Sequence, residues 1–84
     1  MYYVYILKSK VIGKLYIGST NDLKRRLREH QKETLLKRNP FVLVYYEAFA
    51  VESDARNREK KLKYFGKAYQ ELKKRINNSL KCAG

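Results

Sequence analysis

Tyr2-Tyr3-Val4-Tyr5-Ile6-Leu7, followed after a loop by Leu15-Tyr16-Ile17-Gly18, decides how this chain folds. Both runs are rich in β-branched and aromatic residues, and Gly13 sits in the loop between them, which is how a two-stranded hairpin is written. The spacing predicts strands over about Tyr2 to Lys8 and Lys14 to Ile17, turning through Ser9 to Gly13. Tyr5 and Tyr16 stand eleven positions apart, Arg26 follows Tyr16 by ten, and His30 follows Arg26 by four. Residues four apart are neighbours on a helix, so Arg26 and His30 share one face of whatever helix follows the hairpin.

That helix is announced by Ser19-Thr20-Asn21-Asp22, whose side-chain oxygens suit an N-cap, and it is expected from Asn21 or Asp22 to about Lys32 with Leu23 and Leu27 as core contacts. Glu33 to Pro40 reads as a basic, polar connection closed by proline. Phe41-Val42-Leu43-Val44-Tyr45-Tyr46 opens a third strand, running to about Phe49, whose nearly continuous apolar content predicts cover on both faces. Glu52 or Ser53 starts a second helix that Gly66 closes. A third is expected from about Lys67 to Asn78, with Ala68, Leu72 and Ile76 at four-residue steps. Asn77 to Gly84 is expected to fray, leaving a domain over residues 1–79 and a tail over 80–84. The predicted fold class is α/β: a three-stranded, mainly antiparallel sheet flanked by three helices in the order β-β-α-β-α-α.

At 84 residues the chain holds one domain, and its 44% hydrophobic content fills one modest core. Twenty Lys and Arg against eight Asp and Glu give a formal charge of +12, a field that favours polyanions, nucleic acid first. No segment approaches the ~20 apolar residues that span a bilayer, and Met1 to Leu7 lacks the layout of a signal peptide, so no membrane and a cytoplasmic location are expected. The single cysteine, Cys82, excludes an intrachain disulfide and a cysteine-based zinc site. Any bound metal should be a hard ion such as Mg²⁺ or Mn²⁺.

Glu59 is the residue with the least ordinary placement. At 100° per residue Ala55 and Leu62 set the apolar direction of the second helix, and Glu59 lies within about 60° of both. A carboxylate on a face that should be buried must be compensated, either by a salt bridge to a nearby arginine or by a metal ion. Arg26 and His30 border the Leu23/Leu27 stripe, at the rim of the sheet. The planar fork of arginine suits a phosphate gaining charge in a transition state. Arg26 is also one of four closely spaced bases, Lys24, Arg25, Arg26 and Arg28, as on any solvated face, and His30 equally suits a helix-end cation. Tyr5 and Tyr16 occupy strand positions that bring their hydroxyls together beside Arg26. A phenol of pKa ~10 acts as a base near neutrality only where cations stabilise the phenolate.

Taken in order, these residues resemble the GIY-YIG endonuclease family, particularly its small stand-alone bacterial members. Tyr3-Val4-Tyr5 stands in place of the first motif, with tyrosine for its glycine and valine for its isoleucine, and Tyr16-Ile17-Gly18 is the second motif unaltered. Glu59, within Ala55-Arg56-Asn57-Arg58-Glu59-Lys60-Lys61-Leu62-Lys63, matches the family's metal-binding glutamate. The resemblance implies metal-dependent hydrolysis of phosphodiester bonds by in-line displacement, with Tyr5, Tyr16, Arg26, His30 and Glu59 as catalytic residues. One divalent ion, Mg²⁺ or Mn²⁺, would be held by Glu59 at the leaving oxygen, Tyr16 would activate water, and Arg26 would hold the scissile phosphate.

Phosphate contacts are expected from Lys24, Arg25, Arg28, Lys37, Arg38, Arg56, Arg58, Lys60, Lys61 and Lys63. Five of them on duplex DNA would give a salt slope of roughly −4 to −5. No base-reading motif is present, so weak sequence preference is expected, with DNA ahead of RNA. The motifs specify no recruiting protein, and the charge opposes self-association, so the free chain is expected to be a monomer. Two other readings use the same features: a non-catalytic DNA- or RNA-binding module that keeps the fold, and a protein-interaction domain that works through its strand edges.

Overall fold

Four consecutive buried residues, Val4, Tyr5, Ile6 and Leu7, mark β1 (Tyr2–Ser9) as the strand around which everything else is placed. The computed structural model describes the backbone of residues 1–37 and 40–82, with side chains except those of 33–37 and 82. β2 (Leu15–Thr20) and β3 (Phe41–Phe49) flank β1 in the order β2-β1-β3, both antiparallel to it. The first hairpin closes with Ser9 N–H donating to Lys14 C=O at 2.9 Å, and Gly13 takes φ +72°, which glycine adopts without a Cβ penalty. The helices are α1 (Leu23–Lys37), α2 (Glu52–Tyr64), α3 (Gly66–Arg75) and α4 (Asn77–Cys82). The order β-β-α-β-α-α and the antiparallel three-stranded sheet are as the sequence predicts, with α4 added.

Alternation along β1 divides the molecule into two layers. Val4 and Ile6 point to one face, where they cluster with Ala55 and Leu62 of α2, Leu72 of α3 and Ile76. Tyr2, Leu15, Ile17, Val44, Tyr45, Phe49, Ala68 and Leu80 pack around this core. Tyr5 and Leu7 point to the other face, where Tyr5 meets Arg26 and His30 of α1. Between Ile6↔Tyr45 and Leu7↔Leu43 the register shifts, so Val44 is the extra residue of a bulge and both Val44 and Tyr45 reach the core.

Four local expectations differ from what forms. β2 continues through Gly18, Ser19 and Thr20, because pairing with β1 extends to Tyr3↔Thr20, and the N-cap role falls to Asp22 alone, whose Oδ1 accepts from Arg25 N–H at 3.1 Å. α1 runs on to Lys37, since Glu33-Thr34-Leu35-Leu36-Lys37 contains no breaker before Pro40. β3 is an edge strand with no fully buried residue, and the strand covered on both faces is β1. Finally, the segment from Asn77 is helical where fraying is expected. Leu80 extends the Ala68-Leu72-Ile76 stripe onto the core, and Lys8 Nζ donates to Leu80 C=O at 2.8 Å, a cation at a helix C-terminus.

Ile6 is completely buried at the centre of the core, whereas Val11 is 65% exposed in the hairpin loop. Ile6→Ala should therefore cost about 2–5 kcal/mol in urea unfolding, while Val11→Ala should stay within about 0.5 kcal/mol of the parent.

Candidate active site

Tyr5 pairs with Gly18 across β1 and β2, and its ring lies over that glycine. A Cβ built on Gly18 would stand 2.5 Å from the Tyr5 hydroxyl oxygen and 2.6 Å from Cζ, so any side chain there would displace the ring. Gly18 has ordinary strand geometry, and it is the close approach of the phenol that requires glycine. From this seat the Tyr5 hydroxyl accepts from Arg26 Nε at 3.3 Å and lies 3.5 Å from His30 Nε2. α1 brings these two side chains over the sheet one helical turn apart, as the i, i+4 spacing predicts.

Tyr5 is 4% exposed and Tyr16 37%. Tyr16 pairs with Leu7, one two-residue step from Gly18 on the same face and roughly 7 Å along the strand. Its ring stands edge-on to Phe41 at 4.8 Å, and Lys14 Nζ lies 5.3 Å from its centroid. Among the described residues Tyr16 makes no hydrogen bond to Tyr5 or Arg26. Tyr5 is the held phenol, and Tyr16 is the one that solvent reaches. Phe41, which the sequence marks only as the start of the third strand, stands against both Tyr16 and His30, 6.4 Å from the His30 ring.

The guanidinium of Arg26 also pairs with Glu29, Nη1 to Oε2 at 2.9 Å. Its pKa is raised above the ordinary arginine value, first by the Tyr5 hydrogen bond and then by Glu29, so it stays cationic at any pH the fold meets. On the opposite layer, burial raises the pKa of the Tyr45 phenol, with Glu47 adding to the effect, and burial alone raises that of Tyr69. Both hydroxyls therefore stay protonated to higher pH than an ordinary tyrosine.

Glu59 approaches the same strand from the other face. Ser19, adjacent to Gly18, points toward α2 and donates from Oγ to Glu59 Oε1 at 2.8 Å. Lys63 Nζ lies 2.9 Å from Oε2, so the cation that compensates this 22%-exposed carboxylate is a lysine one turn along α2 rather than an arginine. β2 is an edge strand, and the site straddles it, with the phenol and guanidinium above Gly18 and the carboxylate below Ser19. Ser19 was legible only as a helix cap. Its true role follows once β2 is extended through Thr20, which turns consecutive side chains to opposite faces.

Among the described residues no three His, Cys, Asp or Glu side chains converge as a metal cage. A single carboxylate still fits Mg²⁺ or Mn²⁺, ions that retain waters and complete their shell with substrate phosphate. Glu59 would hold such an ion in exchange for Lys63.

Of the expected phosphate contacts, Lys24, Arg25, Arg28, Arg56, Lys60 and Lys61 are exposed. Arg25 approaches Glu29 at 3.7 Å, and Arg56 pairs with Glu52 at 2.6 Å. Arg58 is half-buried against Glu47, its Nε within 3.0 Å of Oε2, and Lys63 serves Glu59. The side chain of Lys37, and Arg38 altogether, lie outside the described residues.

The family model for the GIY-YIG catalytic domain matches residues 1–64, from the start of the chain to the last residue of α2. The chain belongs to the GIY-YIG family. GIY-YIG nucleases act on nucleic acid and generally depend on a divalent metal. Similar proteins include a UPF0213 protein of Staphylococcus haemolyticus, 40% identical over 76 residues that cover 86% of this chain and 90% of the relative. A UPF0213 protein of Bacillus pumilus is 36% identical over 75 residues (84% of this chain, 76% of the relative). One from Clostridium perfringens is 43% identical over 63 residues (70% and 67%). No solved structure matches the chain.

The glycine of the second GIY-YIG motif thus has a defined task here. Gly18→Ala should leave the sheet paired but lower stability by about 1–3 kcal/mol, as overpacking does. It should also detach Tyr5 from Arg26, seen as a displaced Arg26 Nε–H resonance in NMR spectra.

Proposed function

We propose that this protein is a metal-dependent endonuclease that hydrolyses phosphodiester bonds, with DNA as its first substrate and little sequence preference. The observation that carries this is the arrangement around β2: Arg26 on Tyr5 above Gly18, and Glu59 on Ser19 directly below. A phosphate drawn to the edge of β2 meets the fixed cation of Arg26, which grips its oxygens and opposes the charge that accumulates as a fifth oxygen bonds to phosphorus. Tyr5 and Glu29 hold the guanidinium in place for that purpose.

Tyr16, the accessible phenol, orients the attacking water and, acting as phenolate, takes its proton to become the neutral hydroxyl. Lys14 stands beside that ring, its Nζ 5.3 Å from the centroid. His30, in contact with the Tyr5 hydroxyl, is placed to relay a proton on the same face. A divalent ion on Glu59, when bound, supplies Lewis-acid stabilisation of the leaving oxygen. The exposed bases of α1 and α2 give affinity through the backbone phosphates and carry no sequence information. A cytoplasmic site of action and a monomeric free state belong to the same proposal.

A second reading, a nucleic-acid-binding module that does not cut, is favoured by one observation. Both oxygens of Glu59 are engaged by protein groups, Oε1 by Ser19 and Oε2 by Lys63.

The two readings separate when the parent and Glu59→Ala are incubated with labelled single-stranded, duplex and branched DNA and with RNA, in Mg²⁺ or Mn²⁺ and in chelator. Metal-dependent product, lost in Glu59→Ala while binding persists, is expected. Tight binding with no product on any substrate would establish the non-cutting module instead.

A further inference from the structure

Two large aromatic side chains stand in solvent at the corner between α2 and α3. Tyr64 is 77% exposed and Phe65 63%, and neither belongs to the core cluster. Phe65 caps both helices, closing α2 and opening α3 from an extended conformation (φ −117°, ψ 95°). Its ring lines a shallow apolar cleft with Lys61, Lys67, Ala68 and Glu71, and Glu71 lies 3.9 Å from Lys74. Exposed apolar surface of this kind marks a contact site more often than a fold requirement.

The surroundings say what is contacted. Lys60, Lys61, Lys63 and Lys67 all lie within four residues of the ring pair. On α2, Arg56, Lys60 and Tyr64 follow one another at four-residue steps, and all three are exposed, so a row of positive charge ends at an aromatic face. Lysines repel a cationic partner and give an uncharged one no reason to choose this corner. They select phosphate, while the rings select flat π surfaces. Single-stranded nucleic acid offers both together, whereas a duplex keeps its base faces stacked within.

We propose that Tyr64 and Phe65 form a stacking platform for unpaired bases of single-stranded nucleic acid, whose phosphates follow Arg56 and Lys60 along the outer face of α2. This rests on the reading of the protein as acting on nucleic acid and narrows it to substrates with an unpaired segment. α2 also carries Glu59, so a strand held on this helix is tethered beside the site.

The test titrates the full chain and a Tyr64→Ala/Phe65→Ala variant, in chelator to prevent cleavage, against fluorescently labelled oligo-dT and a blunt duplex of equal length. Oligo-dT affinity should fall by about five- to a hundredfold per stacking ring removed. Duplex affinity and the salt slope should not change, since no charge is lost. Tyr64→Phe/Phe65→Tyr should bind oligo-dT like the parent. Equal oligo-dT affinity in parent and Ala variant, or equal losses on both nucleic acids, would overturn the platform and leave the rings to a protein contact. If metal-dependent cleavage holds while this titration fails, only the platform falls; if the titration succeeds while no substrate is cut, only the nuclease reading falls.

Discussion

The site depends on one close approach, the ring of Tyr5 resting on the bare backbone of Gly18. A buried phenol has two torsions to fix, and here sheet pairing fixes its base while the absent Cβ opposite fixes where its hydroxyl ends. That hydroxyl is the point to which Arg26 is hydrogen-bonded and against which His30 lies. The preference of the chain for glycine at the end of the second motif is therefore steric. The consequence is electrostatic, because it decides where a guanidinium is held on an otherwise diffusely basic surface.

The second constraint is that this seat lies on an edge strand. With β2 unpaired on its outer side, side chains from both layers of the molecule converge on consecutive residues, the phenol over Gly18 and the carboxylate under Ser19. An interior strand would have kept them apart by its neighbour. The same geometry answers how a formal charge of +12 is compatible with specific chemistry. Most of the described bases are exposed, while several are paired with carboxylates, among them Arg26 with Glu29, Arg56 with Glu52, Arg58 with Glu47 and Lys63 with Glu59. Lys63 holds Glu59 in place from one turn along α2, Nζ 2.9 Å from Oε2, in a partly exposed i, i+4 pair.

Much of this was readable from residues alone. The hairpin, the α1 face bearing Arg26 and His30, the full extent of β3 and the awkward placement of Glu59 all follow from periodicity. What was not readable depended on pairing. Ser19 and Thr20 have the composition of a helix cap, and only the register with β1 draws them into the strand. The apolar run from Phe41 looks like a central strand because the bulge at Val44 and the contacts of α1 divide its side chains between two half-covered faces. The helix over Asn77–Cys82 is hidden for a similar reason: the segment is polar in isolation, and the docked Leu80 and the reach of Lys8 hold it. Nor does the sequence distinguish the two tyrosines, of which Tyr5 is buried and hydrogen-bonded while Tyr16 is exposed.

The central claim, that a phosphate-cleaving site straddles β2 at Gly18 and Ser19, is tested most directly by adding Mn²⁺ to ¹⁵N-labelled protein and mapping paramagnetic broadening of the backbone amides. The account predicts that broadening centres on Gly18, Ser19 and Glu59. Broadening centred instead on the other carboxylates, such as Glu47, Asp54 or Glu71, with Gly18 and Ser19 untouched, would contradict it.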